Sequence, residues 1–288
     1  MMKLAVHGRL RFESDRPRLQ AVLNVIKQKF ETASYTQELA EISGVPAGRV
    51  IPNDKFSKNH FDALVCIGGD GTILESVRKV GNSGIPILGV NTGRLGFLAS
   101  TPFEELEQAF EKLKNGEFQV DQRTLVKAET DDNLFGGDNY ALNEVSVHKN
   151  STSSMIIVSA YLDDFFLNTY RADGLIISTP TGSTGYSLSA GGPIIAPGTS
   201  NFIITPIAPH NLNVRPLVIS DNRKITLRIG DVDPSFMMSL DSQSNIISSE
   251  VEIRVSKADF QVGLVRFGAN DYFDTLRGKL MWGIDKRN

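Results

Sequence analysis

The sequence predicts an α/β domain of the doubly wound, Rossmann-like kind followed by a β-rich, β-sandwich-like domain, and three features predict it. Short continuous apolar runs alternate with segments of helical period over the first hundred residues; beyond about residue 118 the period drops to two; and a glycine loop falls where a buried strand hands over to a helix.

Taken in order, the first apolar strand is Leu4 to Val6. From Arg16 to Phe30 the residues Leu19, Val22, Leu23, Ile26 and Phe30 recur at helical spacing and line one face. Asp62 to Ile67 is an unbroken apolar run ending in glycines, the pattern of a parallel strand buried on both sides, and Ile85 to Val90 repeats it. Between them Ile73, Leu74, Val77 and Val80 mark the crossover helix of a βαβ unit. The next helix is expected to take Thr101 as N-cap, Pro102 at its first position and Glu104 to close a capping box, with Leu106, Phe110 and Leu113 inward before Gly116. Farther on, Ile225, Leu227 and Ile229 alternate with polar residues, as do Val251, Ile253 and Val255, so these strands have one wet face. Residues 1–118 are therefore read as the α/β domain and 119–270 as the β-rich domain. A C-terminal helix within 271–288, with Phe273, Leu276 and Leu280 at compatible spacing, returns to the first domain.

Composition narrows the function. The 288 residues are 41% hydrophobic and 22% charged, as in a folded globular protein. With 30 Lys plus Arg against 33 Asp plus Glu, the net charge of -3 gives no footprint for a nucleic acid. The lone cysteine, Cys66, sits in an apolar run and reads as core; no leader pattern and no run of the roughly 18–20 apolar residues of a membrane span occurs. A cytoplasmic location without membrane contact is expected. The four histidines are scattered without metal-ligand spacing, so no protein metal site is expected.

Two segments carry chemistry. Gly68, Gly69, Asp70, Gly71 and Thr72 lie between a buried strand and a helix, where ligands of open α/β sheets bind and where glycines let a backbone approach a phosphate. An acid in such a loop opposes the anion unless it serves as a general base or magnesium partner; the plainer alternative is a tight turn with Asp70 as a local cap. Neither GxxxxGK[ST] nor GxGxxG occurs in the chain. The second segment runs from Asp173 through the apolar Leu175 to Ile177 into Ser178, Thr179, Pro180, Thr181, Gly182, Ser183, Thr184, Gly185, Tyr186 and Ser187, with Ser189 to Pro193 extending it. Its hydroxyls and glycines suit phosphate or ribose oxygens, or else form a surface loop of turn residues. Asn143 and Glu144 sit mid-strand between Tyr140 and Val147, where neighbours face opposite ways and one must turn inward.

At GGDGT (68–72), NE (143–144) and DGLIISTPTGSTGYSLSAGGP (173–193) the chain resembles the bacterial NAD kinases, and the likeness extends through NTGRLGFL (91–98) and DSQ (241–243). GGDGT alone is shared with diacylglycerol and sphingosine kinases; the long Ser/Thr/Gly motif separates them. The resemblance implies an α/β and a β-rich domain with NAD in the cleft between them, ATP or polyphosphate as donor with a divalent metal, magnesium above all, and a homo-oligomer, usually a tetramer, otherwise a dimer. It implies that Asp70 takes the proton from the 2′-hydroxyl with Gly71 beside it, and that Asn143 and Glu144 contact the adenosine. Arg171, Asp173, Thr184, Gly185, Tyr186, Ser187, Ser189 and Gln243 would line the dinucleotide pocket, some supplied to a neighbouring subunit. Phe97 is a further expected contact, because an aromatic in that glycine-flanked loop otherwise sits exposed. Gly185 stands where many relatives have alanine and Arg171 where many have lysine. Two other readings stay open: a lipid or sphingoid kinase sharing GGDGT, and a non-catalytic NAD sensor. Trp282, Phe273 and His210 are expected to pack or lie on the surface.

Overall fold

The apolar runs of the first hundred residues pair side by side in the computed structural model of the chain. The structure describes residues 2–10, 12–52, 56–93, 96–99, 101–132, 134–150, 155–230, 235–268 and 272–281. Arg94 and Leu95 of the 91–98 motif, and Asp271 and Trp282 of the expected last helix, lie outside them. The chain divides into two compact units, Met1–Gln122 with Val262–Asn288, and Arg123–Gln261.

Unit 1 begins with β1 (Leu4–Gly8), α1 (Arg16–Lys29), β2 (Ser34–Tyr35), α2 (Gln37–Ser43), β3 (Ala63–Ile67), α3 (Asp70–Val80), β4 (Ile87–Val90) and α4 (Leu106–Asn115). β5 (Gln119–Glu129) leads into unit 2, which holds β6 (Tyr140–Ala141), β7 (Glu144–Lys149), β8 (Ile156–Leu162), β9 (Phe165–Ala172), β10 (Gly174–Ser178), α5 (Tyr186–Ser189), β11 (Asn201–Ile207), β12 (Leu217–Ser220), β13 (Ile225–Ile229), β14 (Ser235–Leu240) and β15 (Gln243–Ser248). β16 (Ile253–Arg266) leads back to unit 1 and α6 (Tyr272–Leu280).

The strands of unit 1 run parallel in the order β2-β1-β3-β4-β16, with Gly8 opposite Ile67 and Ile67 opposite Val90. Parallel strands covered on both faces must be apolar throughout, and β1, β3 and β4 are buried at every position. One face carries α1 and α4: Leu19, Val22 and Ile26 meet Phe110 and Leu113 over Val6, Val65 and Val90. Phe30 and Phe110 pack edge to face at 5.8 Å, and each such buried side chain contributes roughly 1.5–3 kcal/mol. α3 covers the opposite face, where Ile73 fills the space above Gly89 so closely that a Cβ there would lie 2.6 Å from its Cδ1. Helices on both faces of a parallel sheet make unit 1 doubly wound.

In unit 2 the antiparallel sheet β12-β11-β10-β7-β14-β15 faces a second one containing β16-β13-β8-β9. Val145, Val147, Leu175, Ile177, Phe202 and Met238 from the first interleave with Val158, Ala160, Ile225, Leu227 and Val255 from the second in a single core. That is a β-sandwich.

Two local expectations fail. No capping box forms at Thr101: its N–H donates to the Gly89 carbonyl and its own carbonyl accepts from Asn91, making a parallel bridge to Val90. The chain then passes through a 3₁₀ turn at Phe103–Glu105 before α4 begins. Asn143 and Glu144 are not mid-strand either. The strand breaks between Ala141 and Glu144, because the amides of residues 142 to 144 turn to an aspartate far along the chain.

Candidate functional site

The glycine loop of unit 1 leaves β3 and enters α3, and its Gly68 N–H donates to the Val90 carbonyl at 3.0 Å. Gly68 has φ of 153°, and a Cβ there would collide with the Thr72 hydroxyl, so glycine is required. Among the described residues nothing lies within 4 Å of where side chains would project from Gly69 and Gly71, so the backbone is open to close approach. Asp70, the first residue of α3, turns its carboxylate onto the segment after β4. The Phe97 N–H donates to Oδ2 at 2.9 Å, and the Leu98 and Ala99 N–H groups donate to Oδ1 at 3.0 and 3.1 Å. Gly96 completes the cradle: a Cβ there would run into Oδ1. A carboxylate offers about four lone-pair directions; three are taken, and the fourth is on Oδ2. Phe97 is half-buried and lies under the Lys279 ammonium of α6, 5.7 Å from the ring centroid.

Behind the loop is a polar cluster. His7 is fully buried, with Nδ1 3.0 Å from the Thr36 hydroxyl and Nε2 3.5 Å from Glu75, which also holds Arg9 at 2.9 Å. Burial, then the Lys79 charge, brings the His7 pKa down to about 4, so the ring is neutral at pH 7. Burial pushes the Cys66 thiol up to about 12, which makes it an inert core residue.

In unit 2, β10 feeds a 3₁₀ turn at Thr181–Thr184 and then α5. Several hydroxyls of the motif serve the turn and its support. Thr179 Oγ1 donates to the Leu142 carbonyl at 2.6 Å and accepts from Gly182 N–H at 3.1 Å; Ser183 Oγ reaches the Pro180 carbonyl at 2.7 Å; Thr184 Oγ1 reaches the Thr181 carbonyl at 3.2 Å. Ser187 is fully buried and hydrogen-bonded to Thr205 at 2.8 Å. Tyr186 and Ser189 are exposed, and Tyr186 stacks on His148 at 5.5 Å.

Asn143 and Glu144 stand against this turn. Gly182 packs so tightly on the Asn143 carbonyl that it has no room for a side chain, and a Cβ on Gly185 would lie 3.1 Å from Glu144 Oε2. Among the described residues Oε2 is buried without a hydrogen-bond partner, as is the hydroxyl of Ser178, the residue directly opposite Glu144 in the β7–β10 register. Burial, and after it the Asp241 charge, pushes the Glu144 carboxyl up to about 8 against the opposing hydrogen bond from the Tyr186 amide. Glu144 is therefore mostly protonated at pH 7.

The remaining expected residues spread outward. Arg171 is exposed on β9, and its carbonyl accepts from the His210 N–H at 2.9 Å. Asp173 pairs with Lys149 at 2.7 Å, and Gln243 opens β15 opposite Leu240. The structure thus gathers Asp70, Gly71 and Phe97 in unit 1, and Asn143, Glu144, Gly185 and Tyr186 in unit 2. Sequence reasoning named Ser178 among the hydroxyls of its segment, gave no individual role to Asp241 or Gly96, and missed Thr205. Asp241 had a signal, since it heads the DSQ motif.

An acid-bearing glycine loop in a doubly wound unit, with a hydroxyl-lined turn on a β-sandwich, defines a phosphotransferase of the nucleotide-handling class. The ATP-NAD kinase N-terminal domain family matches residues 25–118 and the ATP-NAD kinase C-terminal domain family residues 142–267. The chain is 46% identical to the NAD kinase of Cytophaga hutchinsonii and 41% identical to that of Flavobacterium johnsoniae, each covered over 100% of both chains. An NAD kinase from Archaeoglobus fulgidus, solved in complex with ATP, is 29% identical with a TM-score of 0.72, covering 97% of this chain and 99% of that one. Yeast NADH kinase, solved with NADH, shares the fold at TM-score 0.85 and 24% identity, covering 99% of this chain and 89% of the other. The chain belongs to the NAD kinase family.

Proposed function

We propose that this chain transfers the terminal phosphate of ATP to the 2′-hydroxyl of the adenosine ribose of NAD, giving NADP. The observation that carries the reading is the Asp70 carboxylate, fixed by the amides of residues 97 to 99 with one lone-pair direction left on Oδ2, in a loop whose glycines admit phosphate. Asp70 accepts the hydroxyl proton there as the oxygen attacks the γ-phosphorus. The bond from that phosphorus to the β,γ-bridging oxygen breaks, and ADP leaves with the electron pair. Alignment and charge neutralisation do most of such a transfer.

Asn143 and Glu144 contact the adenosine, and Gly185, Tyr186, Arg171, Asp173, Ser189 and Gln243 line the dinucleotide site. Thr184 and Ser187 shape it from within the turn, and Phe97 is a further dinucleotide contact. Among the described residues no group of three or more His, Cys, Asp or Glu could hold a metal. Magnesium in this reading would come with ATP and would supply charge neutralisation at the phosphates. The protein works as a homo-oligomer in the cytoplasm; no helix among the described residues is long and apolar enough to cross a membrane.

The test offers purified protein NAD and diacylglycerol in parallel, with ATP labelled at its γ-phosphate. Label in NADP alone is the expected result. Label in the lipid favours a lipid kinase, and calorimetric NAD binding without transfer favours a sensor.

A further inference from the structure

Asp241 occupies the turn between β14 and β15 with φ of 51°, a left-handed conformation that aspartate tolerates better than most residues. Its carboxylate reaches back to the break between β6 and β7. Leu142 N–H donates to Oδ2 at 2.8 Å, and the Asn143 and Glu144 N–H groups donate to Oδ1 at 2.9 and 3.1 Å. The Asp241 N–H returns a bond to the Glu144 carbonyl at 3.1 Å. From the other side Thr179 completes the clamp, its N–H on the Asn143 carbonyl at 2.9 Å and its hydroxyl on the Leu142 carbonyl at 2.6 Å.

We infer that Asp241 is a positioning residue for dinucleotide binding, setting the Asn143–Glu144 segment from a turn nearly a hundred residues away and standing as an anion beside Glu144. The inference rests on the reading that these two residues contact NAD. Three amides bound to one charged acceptor fix the peptide planes of 142 to 144, and so the directions in which both side chains leave the backbone. The groups facing Glu144 are Asp241 from its turn, Gly185 and the Tyr186 amide from the 181–189 segment, and Ser178 from β10. Asp241 is the charged member of that set and favours the neutral carboxylic acid. A protonated Glu144 carries a donor, and the buried, unpartnered Oε2 and Ser178 Oγ are polar atoms of the kind a bound group satisfies.

The experiment measures NAD affinity by calorimetry, together with KM and kcat, across pH 6 to about 9 for the wild type, Asp241→Asn and Glu144→Gln. The wild type should lose affinity as pH rises through about 8. In Asp241→Asn the amide nitrogen cannot accept, so KM for NAD should rise roughly tenfold or more with kcat within about threefold, as expected when a buried charge-assisted contact is misplaced. The alkaline fall should also move to lower pH, since Glu144 ionises earlier without the anion beside it. Glu144→Gln should show no such fall. A folded Asp241→Asn protein with wild-type KM and an unmoved pH course overturns the inference. Should that variant fail to fold, Glu144→Gln decides, and an alkaline fall that persists in it is equally fatal. Wild-type protein that binds no NAD would sink the underlying functional reading instead.

Discussion

Asp70 in unit 1 and Asp241 in unit 2 do the same thing to the backbone: each carboxylate accepts three consecutive amides, those of 97 to 99 and of 142 to 144. What stands beside them differs. Asp70 is flanked by glycines with open space around them, whereas Asp241 is set against a buried carboxylic acid. The same staple therefore serves two ends. In the first it aims the carboxylate itself, with a lone pair left over; in the second it aims other side chains and biases their protonation. An aspartate on three amides is evidence of precise placement, and its neighbours decide what is being placed.

Replacing the first staple should give the largest effect. Asp70→Asn is expected to lower turnover by roughly 10²–10⁴, the usual contribution of a positioned base, with NAD affinity changed only a few-fold. It should also lower stability by about 1–3 kcal/mol, because an amide of 97 to 99 loses its acceptor. Steady-state kinetics beside urea unfolding reads both, and near-normal turnover would make Asp70 a structural anchor of the Asp241 kind. Next comes Gly96→Ala, whose methyl would strike Asp70 Oδ1. A loss of about 1–3 kcal/mol from overpacking is expected, with turnover falling while calorimetric NAD affinity holds. Wild-type turnover in that variant would show that the aim of the carboxylate does not matter.

The last comparison leaves turnover aside and separates the units by pH. His7 titrates near 4 in the fold against its ordinary 6.5, so the unfolded chain binds the extra proton between these values and stability falls as pH drops through that window. Glu144 is raised from 4.5 to about 8; the folded chain holds the extra proton, and stability falls as pH rises from 4.5 toward 8. In a denaturant-midpoint series, His7→Gln should remove the loss of stability as pH falls from 6.5 toward 4, and Glu144→Gln the loss as pH rises from 4.5 toward 8. Slopes unchanged in both variants would mean that neither group is held in the state described.

The fold class was legible because its signals are local. Unbroken apolar runs at 63–67 and 87–90 match strands buried on both faces, and alternation at 225–229 matches a sandwich strand. Asp70 was legible as an acid where glycines suggest phosphate. Other features were not, because their partners are distant. The capping box at Thr101 is locally well formed, yet a bridge to Val90 takes its backbone. The strand break at residues 142 and 143 is satisfied by a carboxylate 98 residues from Asn143, which no window of sequence reveals. The hydroxyls of 179 to 187 read as ligand donors, while Thr179, Ser183 and Ser187 serve the interior; serine looks the same in either employment.

Unit 2 is one uninterrupted stretch of chain, whereas unit 1 recruits its last parallel strand from beyond it, with Leu264 beside Ile87 and Val265 in the core under α1 and α4. On a ribosome β1 to β4 emerge long before that strand, which is the far end of β16. The nucleotide-loop unit must wait with one sheet edge open, and such an edge invites pairing with other chains. Its maturation is therefore the late, aggregation-exposed step in the birth of this enzyme.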